Sequence, residues 1–144
     1  MKLRLLFATC ILAIPGAALA QSEGTRDRSG STQGGVYTAA QAAEGGELYA
    51  LRCASCHPAA THTGPAFATK WDGHALSELF QYISEEMPKQ DPGSLSPEEY
   101  ALALAYMLKL NGMPAGPVAL SSDPKALQKI RIDLKPTRGS SEPR

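Results

Sequence analysis

Two cysteines and a histidine stand in the spacing C-x-x-C-H in the segment Cys53-Ala54-Ser55-Cys56-His57. Two thiols one short turn apart can each add to one of the two vinyl groups on a porphyrin edge. The imidazole that follows directly is then held beneath the iron. This spacing is the sequence signal of c-type haem attachment. We therefore predict one haem c, covalently attached through Cys53 and Cys56, with His57 as an iron ligand.

Two cysteines at this spacing could also form a redox-active dithiol, half of a zinc site or a structural disulfide. A thioredoxin-like dithiol is typical of a βαβ context, whereas the flanks here are helical in character. A structural zinc site needs a second pair of ligands. The one other cysteine, Cys10, lies in a segment that we expect to be removed, and His62 and His74 are too far apart for a zinc pair. A disulfide between the two cysteines would leave His57 unexplained.

The first twenty residues have the pattern of a secretory signal peptide. A positive start is followed by an apolar run that is shorter than the roughly 20 residues of a membrane span. The segment Ala18-Leu19-Ala20 is a small-x-small cleavage site. We predict cleavage after Ala20, a periplasmic location and no membrane span after cleavage; an uncleaved anchor is the alternative.

Length and charge narrow the class of protein. The 144 residues suit one domain, and 14 basic residues balance 14 acidic ones, so no nucleic-acid partner is expected. Residues 21–36 are rich in serine, glycine and charge, which predicts a disordered leader. The predicted organisation is a signal peptide at 1–20, a leader at 21–37, a haem domain at 38–116 and an extended C-terminal tail at 117–144.

The first predicted helix leads into the attachment segment. Thr38 and Gln41 match a capping box, and an alanine-rich helix follows towards Cys53. Gly45 lowers helix propensity, so we infer that another backbone approaches closely there. Prolines and a glycine predict a loop over residues 58–69.

Two further helices follow. The first spans roughly 75–86 and ends before Met87-Pro88, because a helix tends to stop before proline. Its apolar residues recur at helical spacing: Leu76, Leu79, Phe80 and Ile83. The next begins at Ser96, where Glu99 completes a capping box, and ends at Asn111-Gly112.

The tail has several prolines and little periodicity. We expect a short helix at 125–130, with Ile130 and Ile132 anchoring the tail on the domain. From about Pro136 onward we expect disorder.

An iron held by His57 needs a sixth ligand. The candidates are Met87, Met107, Met113, His62 and His74. Met87 is favoured because it follows a helix in a loop rich in proline and glycine, 30 residues after His57. A methionine thioether favours reduced iron and raises the reduction potential.

Over about residues 39–116 the chain resembles single-haem cytochromes of the class I fold. The resemblance rests on the order of Gly45, Tyr49, the C-x-x-C-H segment, Gly64-Pro65, the 71–80 stretch, Met87-Pro88 and Ala105-Tyr106. It implies an all-α fold in which three main helices surround one haem and the first crosses the last at a glycine–aromatic contact.

The same resemblance implies roles for single residues. Met87 corresponds to the axial methionine. The carbonyl of Pro65 would accept a hydrogen bond from His57 Nδ1. Trp71 and Phe80 would wall the haem pocket.

Residues 87–116 resemble more specifically the cytochromes that accept electrons from pyrroloquinoline-quinone alcohol dehydrogenases. This resemblance implies an electron carrier, not an enzyme, that moves single electrons between a periplasmic dehydrogenase and the respiratory chain. The partners would be a quinoprotein alcohol dehydrogenase and a terminal oxidase. The protein would be a monomer or a subunit of a larger redox complex. A peroxidase-like or gas-binding haem protein is the remaining alternative.

Overall fold

The computed structural model describes residues 30–134. The predicted signal peptide, most of the leader and the end of the tail lie outside the described residues. Residues 30–134 form helices and no strand, which confirms the all-α prediction. The helices are α1 (Ala39–Arg52), α2 (Gly64–Trp71), α3 (Leu76–Glu86), α4 (Pro97–Leu110) and α5 (Pro124–Leu127), with 3-10 turns at Thr32–Gly34 and Ala59–His62. None of these helices is long and apolar enough to cross a membrane.

Helices α1 and α4 cross in close contact at Gly45. A Cβ atom at Gly45 would collide with the carbonyl oxygen of Leu102 and would lie 3.1 Å from the Cβ of Tyr106. One turn later, the rings of Tyr49 and Tyr106 lie with their centroids 5.2 Å apart. The predicted close approach of a second backbone at Gly45 is therefore confirmed.

The start of α1 departs from its predicted capping box. Thr38 Oγ1 accepts a hydrogen bond from the Gln41 backbone N–H at 3.1 Å, as expected of an N-cap. The Gln41 side chain, however, turns to the tail. Its Nε2 donates to the Leu120 carbonyl at 2.9 Å, and its Oε1 accepts from the Leu120 N–H at 2.7 Å. Half of the capping box is thus replaced by a link between α1 and the tail.

Helix α4 begins as its sequence predicts. Ser96 Oγ accepts from the Glu99 N–H at 3.2 Å, and Glu99 Oε2 accepts from the Ser96 N–H at 2.8 Å. The reciprocal pair satisfies two backbone donors that the first turn of a helix leaves free. α3 also lies within a residue of its predicted bounds.

The predicted loop at 58–69 is wrong in part, because it contains a 3-10 turn and most of α2. Gly64 has φ +70° and Pro65 stands in the first turn of the helix. Proline is well tolerated there, since its missing N–H would have no partner in the first turn. Residues that indicated a loop are therefore the start of a helix.

The end of the leader is ordered, against prediction. Ser31 and Thr32 are buried. The Thr32 N–H donates to the Arg131 carbonyl at 2.9 Å, and the Asp133 N–H donates to Thr32 Oγ1 at 3.0 Å. Polar side chains at the two ends of the described chain satisfy one another, and Tyr37 at the end of the predicted leader is buried in the main core.

The tail packs on the helices as far as residue 134. Leu120, Leu127 and Ile132 are buried in the main core, which confirms Ile132 as an anchor, while Ile130 is half-buried. The Gly73 N–H donates to the Ile132 carbonyl at 2.7 Å. The expected short helix is α5. The folded unit therefore extends beyond 38–116 on both sides.

Candidate haem-binding site

The attachment segment forms a tight turn at the end of α1. The Cys53 N–H donates to the Tyr49 carbonyl at 2.9 Å, and the His57 N–H donates to the Cys53 carbonyl at 2.8 Å. Cys56 is exposed and Cys53 is half-buried, and its burial raises the pKa of the Cys53 thiol. The turn brings both cysteines and the histidine to the lining of one cavity.

The structure also gives evidence on a disulfide, a metal site and a thioredoxin-like dithiol as other functions of the segment. The two thiols are not bonded to each other. Between residues 30 and 134, no three His, Cys, Asp or Glu side chains are grouped so that they could hold a metal ion together. The segment is preceded by α1 and followed by a 3-10 turn, so it lacks the βαβ context of a thioredoxin-like dithiol.

The cavity has a volume of about 520 Å³. That volume lies in the range of roughly 300–1,000 Å³ that is typical of small-molecule and cofactor sites. Apolar side chains from α2, α3, α4 and the loop before α4 form much of its wall: Phe67, Trp71, Leu79, Ile83, Leu95 and Met107. Burial of a large apolar ligand is therefore favourable here.

Met87 lies at the end of α3 and lines this cavity together with His57. Its side chain is half-buried. The buried Tyr100 donates its hydroxyl to the Met87 carbonyl at 2.7 Å and so ties the end of α3 to α4. A nitrogen donor and a thioether donor thus share one cavity.

Of the other sixth-ligand candidates, two line the cavity and two do not. Met107 and His62 are among the lining residues. Met113 is buried elsewhere, where its carbonyl accepts the Tyr37 hydroxyl at 2.6 Å. His74 is exposed, and its Nδ1 lies 2.9 Å from Glu78 Oε2.

The charged residues of the cavity lining are all cations. Arg52, Lys70 and Lys89 line it, and no aspartate or glutamate does so among the described residues. Lys70 Nζ lies 3.8 Å from the ring centroid of Tyr82 and 4.9 Å from that of Trp71. Such cation–π contacts hold an ammonium group in place. Lys89 also pairs with Glu86, with Nζ and Oε2 3.0 Å apart. Arg52 and Lys70 give the cavity lining a positive character that suits a ligand with negative charge.

In a comparison with known proteins, one family model matches part of the chain. The sequence model described as cytochrome c oxidase, cbb3-type, subunit III, matches residues 40–107, from α1 into α4. No curated protein and no solved structure matches the chain. The fold is that of a class I cytochrome c. A cytochrome c domain is an electron-transfer haem domain and implies covalently bound haem c.

The residues of the site fit the group that the matching family implies. Cys53 and Cys56 line the cavity with two thiols at the spacing that two vinyl groups need, and His57 and Met87, which also line it, could serve as iron donors. The apolar wall suits a porphyrin. The cationic lining complements the two carboxylates that a haem carries.

Two of the predicted pocket residues lie elsewhere. Trp71 lines the cavity as expected. Phe80 does not; it is buried against Tyr100, with ring centroids 6.3 Å apart, because its position on α3 faces α4. Pro65 is exposed in the first turn of α2 and is not a lining residue. The hydrogen bond from His57 Nδ1 to the Pro65 carbonyl stays a prediction.

Sequence reasoning missed the roles of two residues on α4 and at its end. Tyr100 has no role in the sequence analysis, but its hydroxyl donates to the Met87 carbonyl and holds that backbone in place. A buried tyrosine hydroxyl usually finds a partner, so a tyrosine at this position was a usable signal. Asn111 was assigned only as a helix stop, but its side chain also donates to the His62 carbonyl at 2.8 Å.

Three aromatic rings stand together beside the attachment turn. The His62 ring lies 5.2 Å from the His57 ring and 5.8 Å from the Tyr49 ring, centroid to centroid. Burial, together with the neighbouring His57, lowers the pKa of His62, so its neutral form is favoured. Burial raises the pKa of Tyr49 to about 12, so its hydroxyl stays protonated and donates to the His57 carbonyl at 2.6 Å.

Proposed function

We propose that this cytochrome c domain is an exported carrier of single electrons that works between a periplasmic dehydrogenase and the respiratory chain. The observation that carries the proposal is that His57 and Met87 line one apolar cavity beside the two attachment cysteines. When bound, haem iron supplies reversible one-electron chemistry.

The chain's own residues are suited to electron transfer in which no covalent bond is made or broken. Two axial donors, His57 and Met87, would leave the iron no open position for a substrate, so no catalytic residue is proposed. The apolar wall from Phe67 to Ile83 excludes water and keeps the local dielectric low. Cys56 is exposed, so the attachment edge is the part of the site that a partner protein can approach.

The proposal also includes the export of the protein, its electron donor and its electron acceptor. The signal peptide at 1–20 would direct the chain to the periplasm, where c-type haem is attached. The resemblance of residues 87–116 supports a quinoprotein alcohol dehydrogenase as electron donor. The match to a family of cytochrome c oxidase subunits supports a terminal oxidase as acceptor. Such encounters are typically transient and bury less than about 1,200 Å².

Covalent attachment is tested on the protein produced in a host that matures c-type haem. The chain is denatured in pyridine and its reduced spectrum is recorded, and a second sample is extracted with acid acetone. We expect the haem to stay with the protein. Haem that extracts, or protein without haem, would remove the basis of the proposal.

The sixth ligand is tested with a matched pair of variants, Met87→Leu and Met107→Leu. Both methionines line the cavity, so each substitution removes one thioether at similar volume. The ferric protein should lose the near-red methionine–iron absorption band in Met87→Leu and keep it in Met107→Leu. Survival of the band in Met87→Leu would show that another residue is the ligand.

A second candidate function is that of a haem-carrying subunit of a larger redox complex. It is favoured by the matching family, whose name is that of an oxidase subunit. Purification from native membranes and periplasm separates the two: a carrier elutes alone, whereas a subunit elutes with its complex. Carbon monoxide binding to the reduced native protein would instead favour a gas-binding or peroxidase-like site.

A further inference from the structure

The backbone of Met87 is held from two sides. Met87 follows the last residue of α3 in an extended conformation, with φ −133° and ψ 152°. Its N–H donates to the Ile83 carbonyl at 3.2 Å, and its carbonyl accepts the Tyr100 hydroxyl at 2.7 Å. The first bond belongs to α3 and the second comes from α4, so the position of Met87 depends on both helices.

The segment 88–94 that follows Met87 is mostly exposed. Its two backbone hydrogen bonds, 3.0 and 3.3 Å long, both join residues within the segment. Towards the rest of the described chain it makes an ion pair with the end of α3 and one long contact, in which Gln90 Nε2 lies 4.0 Å from Cys56 Sγ. The start of this segment is therefore held to α4 by the hydroxyl of Tyr100.

Tyr100 is itself fixed in the core. It lies near the start of α4, where Ser96 and Glu99 cap the helix, and only 4% of it is exposed. Its ring stands at 78° to the ring of Phe80 on α3, with the centroids 6.3 Å apart. Because the ring is held by both helices, the hydroxyl has little freedom to leave the Met87 carbonyl.

We propose that Tyr100 is a positioning residue that sets how strongly Met87 is held as the sixth ligand. The proposal rests on the proposed function above, in which Met87 is an iron donor. Release of the thioether moves Met87 out of the cavity, and the hydrogen bond from Tyr100 stabilises the arrangement in which Met87 stays. Without the hydroxyl, the carbonyl lacks its partner in the ligated arrangement, and the released fraction of molecules rises.

The experiment compares Tyr100→Phe with the wild type and with Tyr37→Phe, all as mature ferric haem protein. Tyr100→Phe removes the hydroxyl and keeps the ring, so the packing on Phe80 is preserved. Tyr37→Phe is the matched control, because the buried Tyr37 donates its hydroxyl to the Met113 carbonyl at 2.6 Å and neither residue lines the cavity. Free imidazole is titrated into each protein as a probe of the position that methionine leaves.

The dissociation constant of imidazole should fall about tenfold in Tyr100→Phe, which corresponds to about 1.4 kcal/mol, the size of one buried hydrogen bond. In Tyr37→Phe it should equal that of the wild type, while urea unfolding should show a similar loss of stability in both variants. At saturating imidazole the rate of binding is limited by the release of methionine, and this rate should rise in Tyr100→Phe alone.

Two results would overturn the proposal. One is a Tyr100→Phe protein that binds imidazole as the wild type does, since the hydroxyl would then contribute to stability alone. The other is an equal fall of the dissociation constant in Tyr37→Phe, since a general loss of stability would then be the cause. Absence of covalent haem, or a near-red band that survives in Met87→Leu, would defeat the proposed function instead, so the two failures are distinguishable.

Discussion

Substitution of Gly45 by alanine tests the contact between α1 and α4. A Cβ at this position would collide with the Leu102 carbonyl oxygen, which belongs to the α4 backbone and cannot turn aside. Overpacking of this kind costs about 1–3 kcal/mol, and a backbone obstacle places Gly45→Ala at the upper end. Alanine regains about 1 kcal/mol of helix propensity. The expected net loss in the free energy of unfolding is therefore about 2 kcal/mol.

The neighbouring Gly46 is a matched control on the same helix. Its added Cβ would lie 3.1 Å from Cε2 and 3.3 Å from Cδ2 of Tyr106, atoms of a half-buried side chain that can shift. The gain in propensity should then offset the crowding, and Gly46→Ala should lie within about 0.5 kcal/mol of the wild type.

Urea unfolding and thermal unfolding of the haem-loaded proteins, both followed by far-ultraviolet circular dichroism, measure the free energy of unfolding and the melting temperature of the two variants. At a loss of about 2 kcal/mol the melting temperature should fall by about 8–16 °C in Gly45→Ala. Equal stability of the two variants, or a Gly45→Ala protein as stable as the wild type, would refute the idea that this glycine is required by a backbone contact.

Three further predictions concern the tail and one helix cap. Leu127→Ala should cost about 2–5 kcal/mol because Leu127 is fully buried, while Val118→Ala, at a side chain 70% exposed, should change stability by less than about 0.5 kcal/mol; thermal unfolding compares them. The hydrogen bond from Arg131 holds the pKa of Asp133 below its usual value, so its stabilisation is present above about pH 4 and is lost as pH falls through the folded-state pKa. Asp133→Asn should therefore unfold more easily than the wild type at neutral pH and converge with it in acid, and urea titrations at a series of pH values check this. Ser96→Ala should cost about 1 kcal/mol, and an unchanged midpoint of urea unfolding would contradict the role of Ser96 as a helix cap.

The sequence predicted α3, α4 and the crossing of α1 with α4, because in these places the local signals of helix capping and helix propensity agree with the tertiary contacts. Ser96 caps its own helix, and Gly45 marks a close approach that its helix alone would not need. The signal of Ser96 lies within the first turn of its own helix. The partner of Gly45 is distant in sequence, but a glycine inside a helix marks the position of the contact at the residue itself. Met87 could be located for a similar reason, because it directly follows the amphipathic helix α3.

The remaining features depend on partners far along the chain. Gln41 looks like half of a capping box, but its amide binds Leu120, which no local pattern indicates. Thr32 stands in a polar stretch with the composition of a disordered segment, and it is ordered because its partners lie about 100 residues later. Phe80 is spaced correctly for the apolar face of α3, but spacing does not tell which side of that face meets the cavity and which meets α4.

The two ends of the described chain meet at one place. The Arg131 N–H donates to the Gly30 carbonyl at 2.7 Å, and Ser31 and Arg131 form a parallel bridge. In a protein shortened to the described residues, a glycine-rich connection from residue 134 to residue 30 would therefore span little distance, and termini that lie close together tolerate circular permutation. New ends opened at the turn around Gly93 would place α4 and α5 before α1 and would leave α1, the attachment turn, α2 and α3 in their present order. A genetic fusion to such a permuted protein would then start in the loop between α3 and α4, two residues from the cavity-lining Leu95.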